Sequence, residues 1–376
     1  MKRINITLFS IMLLAILFSC TRSNLNYTQS GNWVSRATFQ GVAMGAGASF
    51  VVNDVAYVGT GIDPLTPNLK LTSMFKYSYA KIPKSPYGYD SAYGSWTAIT
   101  DFPGQARSNA VGFSIGGNGY IGGGLANDGF TPLNDYYGYN PNTGWYQIDS
   151  LVDQNGNSHA RYDAVAFSFD TTAYVLTGTD NYNYYNDIYR YSPTTNSWIA
   201  LPAMPGSKRS GAITWVYKGK GYLLTGFTNG SKWSSGTQCY DFWTFTPGPD
   251  NDTLAWDRKH DIFNTNAATF DDGYVNIIRT HGVGFIELGT PLGDKGYVTL
   301  GSLNSGDVTF TWEYDFLTDV WQEKTPYEGN GRTGAVAFSL QGQTRGFVAT
   351  GLNQGSTAAF SDCEEFFPQQ VYNQYD

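Results

Sequence analysis

A pattern that repeats six times is the feature that most constrains how this chain can fold. Each copy holds a Gly/Ala-rich segment, a segment ending in Thr-Gly or a glycine run, an alternating aromatic segment, and a turn. Five copies start at an arginine and the first starts at a methionine: Met44, Arg107, Arg161, Arg209, Arg279 and Arg332. Self-similarity at such a period indicates one supersecondary unit per copy.

The segments of each copy predict four β-strands, because alternating apolar residues and tight glycine turns favour strands. Tryptophans mark the fourth strand of the first five copies: Trp96, Trp145, Trp198, Trp256 and Trp321. The sixth copy lacks this tryptophan, whereas Trp33 stands alone before the first copy. Four-stranded units at this period are typical of propeller blades. We therefore predict an all-β, six-bladed propeller over residues 31–368, closed by an N-terminal strand that completes the last blade.

The composition excludes several other classes of protein. Of 376 residues, 44 are glycine and only 14% are charged, which argues against a coiled coil or a disordered chain. A formal net charge of −8 repels phosphate backbones, so we expect no nucleic-acid partner. Beyond Cys20 the chain has only Cys239 and Cys363, too few for a disulfide framework. Their places in separate blades predict that both stay unpaired.

The N-terminus has the pattern of an export signal. Lys2 and Arg3 precede an apolar run from Ile11 to Phe18 that is too short for a permanent membrane span. The segment ending at Cys20 resembles a bacterial lipobox, which implies acylation of that cysteine; a plain secretory peptide is the alternative. We expect a signal peptide over 1–19, a linker over 20–30 and a tail over 369–376. The expected location is the bacterial envelope, facing the periplasm, with membrane contact through the lipid anchor only.

The six copies resemble Kelch repeats. An arginine at the start of the first strand, paired glycines, an aspartate before an aromatic strand and a tryptophan after a turn carry this resemblance over about residues 31–368. Met44 in the arginine position departs from the pattern. The resemblance implies a Kelch-type propeller, but it implies no single function, because one fold hosts unrelated activities.

The strand order predicts that the arginines point toward one mouth of the propeller, beside the residues two positions further on. The candidate ligand-binding residues there are Arg107, Arg161, Arg209, Arg279, Arg332, Asn109, Asp163 and His281. Converging guanidinium groups could bind a carboxylate or a sulfate through bidentate hydrogen bonds. The alternative is that the arginines only brace loops, through Asp135, Asp187 or Asp241.

The same rim is expected to carry aromatic residues on the loops between second and third strands: Phe130, Tyr182, Tyr184, Trp233 and Phe360. Aromatic rings beside Asn and Asp side chains commonly hold sugars, because the apolar face of the sugar stacks while its hydroxyls find polar partners. Ordinary loop filling by tyrosine is the alternative.

Signals for catalysis are fewer. The three histidines lack metal-ligand spacing, so the sequence predicts neither a metal site nor a cofactor. Asp250-Asn-Asp252 is predicted to form a turn rather than a calcium loop. His281 would lie at the mouth, and nearby Arg279 is expected to keep its imidazole neutral and able to act as a base.

Two enzyme families with Kelch propellers bear on the function. Galactose oxidases hold copper with two His and two Tyr, one linked to a Cys, and the few histidines and cysteines here do not fit that set. Periplasmic sialic acid mutarotases resemble this chain in size, compartment and arginine-bearing mouth, and their substrate is an anionic sugar. The prediction is an envelope-anchored propeller that binds a glycan or a protein partner. A sugar-acid mutarotase and a structural subunit of an envelope complex are the alternatives.

Overall fold

The computed structural model describes residues 30–66, 69–81, 93–229, 236–260, 262, 274–304, 306–353 and 358–373. These residues form six four-stranded antiparallel sheets whose inner strands contact one another in a closed ring, which confirms the predicted six-bladed all-β propeller. The leader, Cys20 and Trp233 lie outside the described residues. Within these ranges, no helix is long and apolar enough to cross a membrane.

The strands of each blade are given from the axis outward. Blade 1 has Ala48–Val52, Val55–Gly59, Met74–Lys81 and Tyr93–Ile99. Blade 2 has Val111–Ile115, Asn118–Gly122, Tyr136–Asn140 and Gly144–Ile148. Blade 3 has Val165–Ser168, Ala173–Leu176, Ile188–Ser192 and Ser197–Leu201. Blade 4 has Ile213–Tyr217, Lys220–Leu224, Phe242–Pro247 and Leu254–Arg258. Blade 5 has Val283–Thr290, Gly293–Thr299, Thr311–Asp315 and Val320–Lys324. Blade 6 has Val336–Leu340, Arg345–Ala349, Cys363–Val371 and Ser30–Ser35.

Short elements occur in the loops within and between blades. A 3₁₀ turn spans Tyr274–Asn276. Four two-residue ladders pair Ile62–Asp63 with Leu69–Lys70, Arg107–Ser108 with Leu125–Ala126, Phe227–Thr228 with Thr237–Gln238, and Ser302–Leu303 with Gly306–Asp307. These ladders lie at the mouth where second strands end and first strands begin.

The N-terminal strand closes the ring as the sequence predicts. Trp33 pairs with Phe366 in the last strand, and their ring centroids are 4.7 Å apart. The buried indole also contacts Phe285 of blade 5 and Tyr327 of the 5–6 connection. Because this strand covers the edge of Cys363–Val371, blade 6 keeps no unpaired outer strand there. The last strand continues to Val371, three residues beyond the predicted propeller end.

The core lies between neighbouring blades, where aromatic side chains of one sheet meet small residues of the next. Phe50 of blade 1 faces Gly119 of blade 2, and a Cβ at that glycine would lie 2.0 Å from the ring. Phe285 and Gly346 repeat this arrangement between blades 5 and 6. Packing therefore requires glycine at this position of these second strands, since close-packed interiors leave no room for an added methyl group.

Two rings of backbone hydrogen bonds join the blades near one mouth. In the first, each N–H donates to the matching carbonyl of the preceding blade at 2.7–3.4 Å; we call these residues the cavity ring: Ala46, Asn109, Asp163, Gly211, His281 and Gly334. In the second, the glycine after each second strand donates to the carbonyl at the next arginine position at 2.8–2.9 Å; the glycines are Gly61, Gly124, Gly178, Gly226, Gly301 and Gly351. These contacts link blades without using any side chain.

The cavity ring corrects the predicted course of the first strands, which do not begin at the arginines. All six ring residues have φ between 53° and 61°. This left-handed conformation turns the chain and ends the short ladder at the arginine, so the inner strand starts only afterwards. In blade 2, for example, Asn109 separates Arg107–Ser108 from Val111–Ile115.

Candidate functional site

The arginines do not line the mouth. We call Arg107, Arg161, Arg209, Arg279 and Arg332 the arginine belt, and all five are fully buried. Arg161 donates to both Asp187 oxygens at 2.6 and 2.9 Å, and Arg209 donates to both Asp241 oxygens at 2.6 Å. The expectation that the belt faces a ligand is therefore wrong in its geometry, and the alternative of loop bracing is what the structure shows.

The braces repeat with small variations. Arg107 pairs with Asp135 at 2.8 Å, and Arg332 pairs with Asp362, a partner that the sequence reasoning missed. In these four blades another guanidinium bond goes to a carbonyl at the end of the second strand, at 3.0 Å. Arginine suits this place because its fork of donors satisfies a carboxylate and backbone carbonyls at once.

Arg279 differs from the other belt members. Its guanidinium donates to the carbonyls of Asn276, Ile277, Leu300 and Phe310, at 2.5–3.0 Å. Among the described residues it pairs with no carboxylate, and burial lowers its pKa. It therefore fastens the connection into blade 5 through main-chain bonds, and it too is not directed at the mouth.

An axial cavity of about 640 Å³ opens at the mouth where the sequence places the site. Its wall comes from all six blades and includes Ala46, Lys70, Asn109, Tyr162, Asp163, Tyr184, Ser210, Thr280, His281 and Gly334. No belt arginine lines it. Of the predicted site residues, Asn109, Asp163, His281 and Tyr184 do line it. The volume falls in the range of small-molecule sites.

Three cavity-ring residues form a hydrogen-bonded arc. The Asn109 amide donates to Asp163 Oδ1 at 2.6 Å, and His281 Nε2 lies 3.0 Å from Asp163 Oδ2. Asp163 and His281 belong to blades 3 and 5, so the imidazole must cross the ring position of blade 4. Gly211 occupies that position, and a Cβ there would lie 2.6 Å from Thr280 Oγ1 and 3.0 Å from His281 Nε2. The glycine therefore makes the arc possible.

His281 does not have the neutral, available imidazole that the sequence suggests. The Asp163 carboxylate raises the pKa of His281, and this attraction outweighs the opposing effect of burial. The other ring nitrogen, Nδ1, lies 3.1 Å from Thr280 Oγ1. Both nitrogens are thus engaged, and Arg279 does not set the charge because its guanidinium is held by carbonyls. The prediction of a free base at His281 is wrong.

Lys70 is the cavity residue that the sequence reasoning missed. Its side chain lines the cavity and is only 5% exposed. Among the described residues the ammonium has no hydrogen bond or ion pair; burial lowers its pKa, while the more distant Asp128 opposes that effect. The flanking Leu69 and Leu71 gave no signal for this position, because side chains alternate in a strand and buried leucines would predict an outward-facing lysine between them. A lysine so little exposed and without an ion pair is unusual, so it marks a site rather than an ordinary surface position.

The predicted rim aromatics divide into three groups. Tyr184 lines the cavity, and Tyr182 points to solvent on the rim beside it, as does Phe130. Phe360 instead covers the guanidinium of Arg332, whose carbon lies 3.8 Å from the ring centroid. Trp233 falls outside the described residues. The tyrosine-rich loop of blade 3 thus supplies both a wall and a rim residue.

The remaining sequence expectations concern cysteines and metals. Cys239 and Cys363 are free and buried, which confirms the prediction for both; burial raises the pKa of Cys239 to about 11. Asp250 forms the predicted turn, since its carboxylate accepts from the backbone N–H of Asp252 and of Thr253. In the ranges that the structure describes, no three His, Cys, Asp or Glu side chains are grouped to hold a metal ion.

The family described as "Kelch motif" matches residues 160–205, which contain Arg161, Asp187 and Trp198 of blade 3. The matched residues form one of six units that share the same strand order. The chain has the fold of a Kelch-type β-propeller. The solved structure of YjhT has the same fold as this Kelch propeller, with a TM-score of 0.64, 17% identity, and coverage of 87% of this chain and 95% of that one.

The Kelch propeller is also similar to proteins named N-acetylneuraminate epimerase. The Shigella sonnei protein is 28% identical over 96 residues, covering 22% of this chain and 26% of that protein. The Yersinia enterocolitica protein is 23% identical over 225 residues, covering 49% and 54%. The matched regions therefore span about a quarter to a half of the length of these relatives.

Proposed function

We propose that this Kelch propeller binds a small acidic sugar in its axial cavity, with Lys70 as the counter-charge. The observation that carries the proposal is Lys70, a residue only 5% exposed that lines a cavity of about 640 Å³ and whose ammonium has no hydrogen bond or ion pair among the described residues. A carboxylate placed beside it would offset the cost of desolvation, because charge-assisted hydrogen bonds are strongest where water is excluded.

The rest of the wall suits a polyhydroxylated ligand. Ser210, Thr280 and Tyr184 bring hydroxyl groups, and the Asn109–Asp163–His281 arc brings an amide and an ion pair. The ring positions of blades 1 and 6 are Ala46 and Gly334, which carry no polar side chain and leave space on the side where Lys70 enters. Polar groups that converge from one side of an open cavity are how sugars are oriented.

The similarity to N-acetylneuraminate epimerases supports an acidic sugar as the ligand class and brings in a second candidate function, sugar-acid mutarotation. Mutarotation needs a proton to leave the anomeric hydroxyl and a proton to reach the ring oxygen. His281 is engaged at both nitrogens, whereas Lys70 combines a lowered pKa with an unpaired nitrogen among the described residues. If the protein turns its ligand over, we assign to the Lys70 ammonium the delivery of a proton to the ring oxygen, while water in the open cavity accepts the proton of the anomeric hydroxyl.

The structural-subunit alternative has less support. It calls for an apolar patch on the outer strands, and the exposed apolar residues of the described outer strands lie in different blades: Tyr146, Ile199 and Val320. In blades 1–3 the most exposed apolar side chains that the structure describes lie in loops at the mouth instead. Envelope anchoring through Cys20 is also part of the proposal. It is supported by the leader sequence alone.

Isothermal titration calorimetry with N-acetylneuraminate and with galacturonate tests the proposal. The purified protein should bind one of them, and Lys70→Met should weaken that affinity by at least about 30-fold, because truncating one partner of a buried charge pair costs 2–5 kcal/mol. The matched control is Lys220→Met, an exposed lysine in a hairpin at the opposite mouth. Unchanged affinity in folded Lys70→Met would refute the site. Exchange spectroscopy of the two anomers by NMR then separates binding from mutarotation.

A further inference from the structure

Three neighbouring loops of the rim carry the same short motif. Each loop joins the second strand to the third, in blades 1, 2 and 3, and each has an aspartate two residues before a large side chain: Asp63 and Leu65, Asp128 and Phe130, Asp180 and Tyr182. The three large side chains are 76%, 78% and 87% exposed. We call Leu65, Phe130 and Tyr182 the rim arc.

The aspartates hold the rim arc in place. In every loop the carboxylate accepts a hydrogen bond from the backbone N–H of the exposed residue, at 2.9 Å for Leu65, 2.9 Å for Phe130 and 3.0 Å for Tyr182. Such Asx turns fix the loop before any ligand arrives. The cost of ordering these residues is therefore met in folding rather than in binding, which favours affinity.

The loops are also joined to one another and to the axial cavity. The backbone N–H of Lys70 donates to the Asn127 side chain at 2.8 Å, which links the loops of blades 1 and 2. The Asn181 amide donates to the Phe130 carbonyl at 2.7 Å, which links blades 2 and 3. Tyr162 of the cavity wall donates to Asn181 at 3.0 Å. The rim arc is thus a continuation of the cavity wall and not an independent surface.

The fold does not require the rim arc. In the described parts of the corresponding loops of blades 5 and 6, large apolar side chains such as Leu303 and Phe360 are at least partly covered. Because the loops of blades 5 and 6 complete the ring without exposing such side chains, the fold does not need the three exposed apolar residues in the loops of blades 1–3. Exposed apolar groups rimmed by polar ones mark interaction sites.

We propose that the rim arc is a second subsite, which receives the next sugars of a glycan chain whose terminal acidic sugar occupies the axial cavity. This inference rests on the proposed function of the cavity. The flat rings of Phe130 and Tyr182 offer stacking faces for the C–H side of a sugar, and the carboxamides of Asn127 and Asn183 lie in the same loops for its hydroxyls. The protein then recognises the end of a chain rather than only a free monosaccharide.

A protein partner fits the rim arc less well. A stable protein interface covers roughly 800 Å² on each side and has a continuous apolar centre. Here the apolar residues stand on separate loops, with the polar side chains of Asn127, Asp128 and Asn181 between them. Spaced rings that lead away from a polar cavity match successive sugars better than a single packed patch.

Calorimetry with two probes tests the inference: N-acetylneuraminate, and a trisaccharide in which it is the terminal residue linked to lactose. We expect the trisaccharide to bind the wild-type protein at least about tenfold more tightly. In the double variant Phe130→Ala with Tyr182→Ala, this advantage should fall to about twofold or less, while monosaccharide affinity stays unchanged. The matched control is Leu292→Ala with Leu317→Ala, which removes two exposed leucines from blade 5 turns at the opposite mouth.

The outcomes separate the two proposals. If the wild-type protein binds the monosaccharide but gains nothing from the lactose unit, or if the double variant keeps the gain, the second subsite is refuted and the cavity proposal stands. That result would leave the rim arc to a protein partner. If neither probe binds, and galacturonate and its dimer also fail, the proposed function fails and the inference fails with it.

Discussion

The arginine belt and the cavity ring are two residues apart in the five blades that carry a belt arginine, yet they have opposite properties. The belt repeats one residue type in five of six blades, and every guanidinium is buried and satisfied by carboxylates or carbonyls. The ring repeats one backbone conformation, with φ of 53–61°, and carries five different residue types. The belt therefore holds the blades together, whereas the ring uses a constant backbone to display variable side chains.

The contrast indicates which positions of a repeat fold carry function. A residue type that recurs at the same position of each blade serves the fold, so the repeated charges of the arginine belt indicate a structural role. Positions whose side chains face the axis carry no such requirement and can differ from blade to blade. Lys70, which occurs in one blade only, is in this sense a better functional signal than five arginines in register.

The largest expected effect concerns closure of the ring. Deleting residues 21–35 should lower the melting temperature by about 10 °C or more, because it exposes the edge of the last strand and removes the buried Trp33 indole. Differential scanning calorimetry measures this change. Deletion of residues 21–29 alone is the control, since it spares the strand. An unchanged melting temperature in the longer deletion would mean that the ring closes without this strand.

Breaking the belt should cost almost as much. Arg209→Leu leaves the mostly buried Asp241 carboxylate without its guanidinium, and we expect a loss of about 3–5 kcal/mol in the free energy of unfolding. Urea denaturation followed by tryptophan fluorescence measures it. The control Arg258→Leu removes an outer-strand arginine of the same blade and should cost less than about 1 kcal/mol.

Lys70→Met supplies the contrast with the belt. The ammonium has no hydrogen bond or ion pair among the described residues and only the attraction of the more distant Asp128, so replacing it with an apolar side chain should leave stability unchanged or slightly raised. A loss in the free energy of unfolding as large as that of Arg209→Leu would show that Lys70 stabilises the fold. Lys70 would then be a structural residue like the belt arginines.

An intermediate loss of stability is expected at Gly211, which links neighbouring blades through its backbone and contacts the cavity residues Thr280 and His281. Gly211→Ala places a Cβ 2.6 Å from Thr280 Oγ1 at a φ of +58°, so it should cost about 2–3 kcal/mol by combining backbone strain with the displacement of Thr280 and His281. Gly219→Ala is the matched control. It also has a positive φ but its Cβ would meet nothing within 4 Å, so only about 1 kcal/mol is expected. Equal losses in urea denaturation would argue against crowding at the ring.

The smallest expected loss of stability concerns the pH dependence of the Asp163–His281 pair. Asp163 raises the pKa of His281 in the folded protein, so protonation favours folding. This contribution is complete below the ordinary histidine pKa and is lost as the pH rises through the higher folded value. The free energy of unfolding should therefore fall as the pH rises above about 6.5, by at most about 1 kcal/mol from this pair.

His281→Gln should remove that fall, which urea denaturation at several pH values can measure. His260→Gln, at an exposed histidine, should keep it. A fall that persists in His281→Gln would place the titrating group elsewhere and leave the arc without an electrostatic role.

Much of the fold could be predicted from the sequence, because the residues that pack each blade recur at matching positions of the six repeats. The glycines of the second strands, the tryptophans of the fourth strands and the lone Trp33 each have a packing reason that any one blade shows. The candidate site could be predicted only in part. Asn109, Asp163 and His281 were placed by counting from the arginines, whereas the orientation of the arginines themselves was wrong.

The number of blades, their strand order and the strand that closes them follow from the sequence alone, because hydrophobic periodicity and turn residues act locally along the chain. Which polar groups are satisfied depends instead on tertiary packing. Whether Arg209 meets Asp241 or a ligand, whether His281 reaches Asp163 across Gly211, and whether Lys70 is left without a partner depend on atoms that come from different blades. Charge pairing in a protein interior is set by distance and desolvation, and neither can be counted along a sequence.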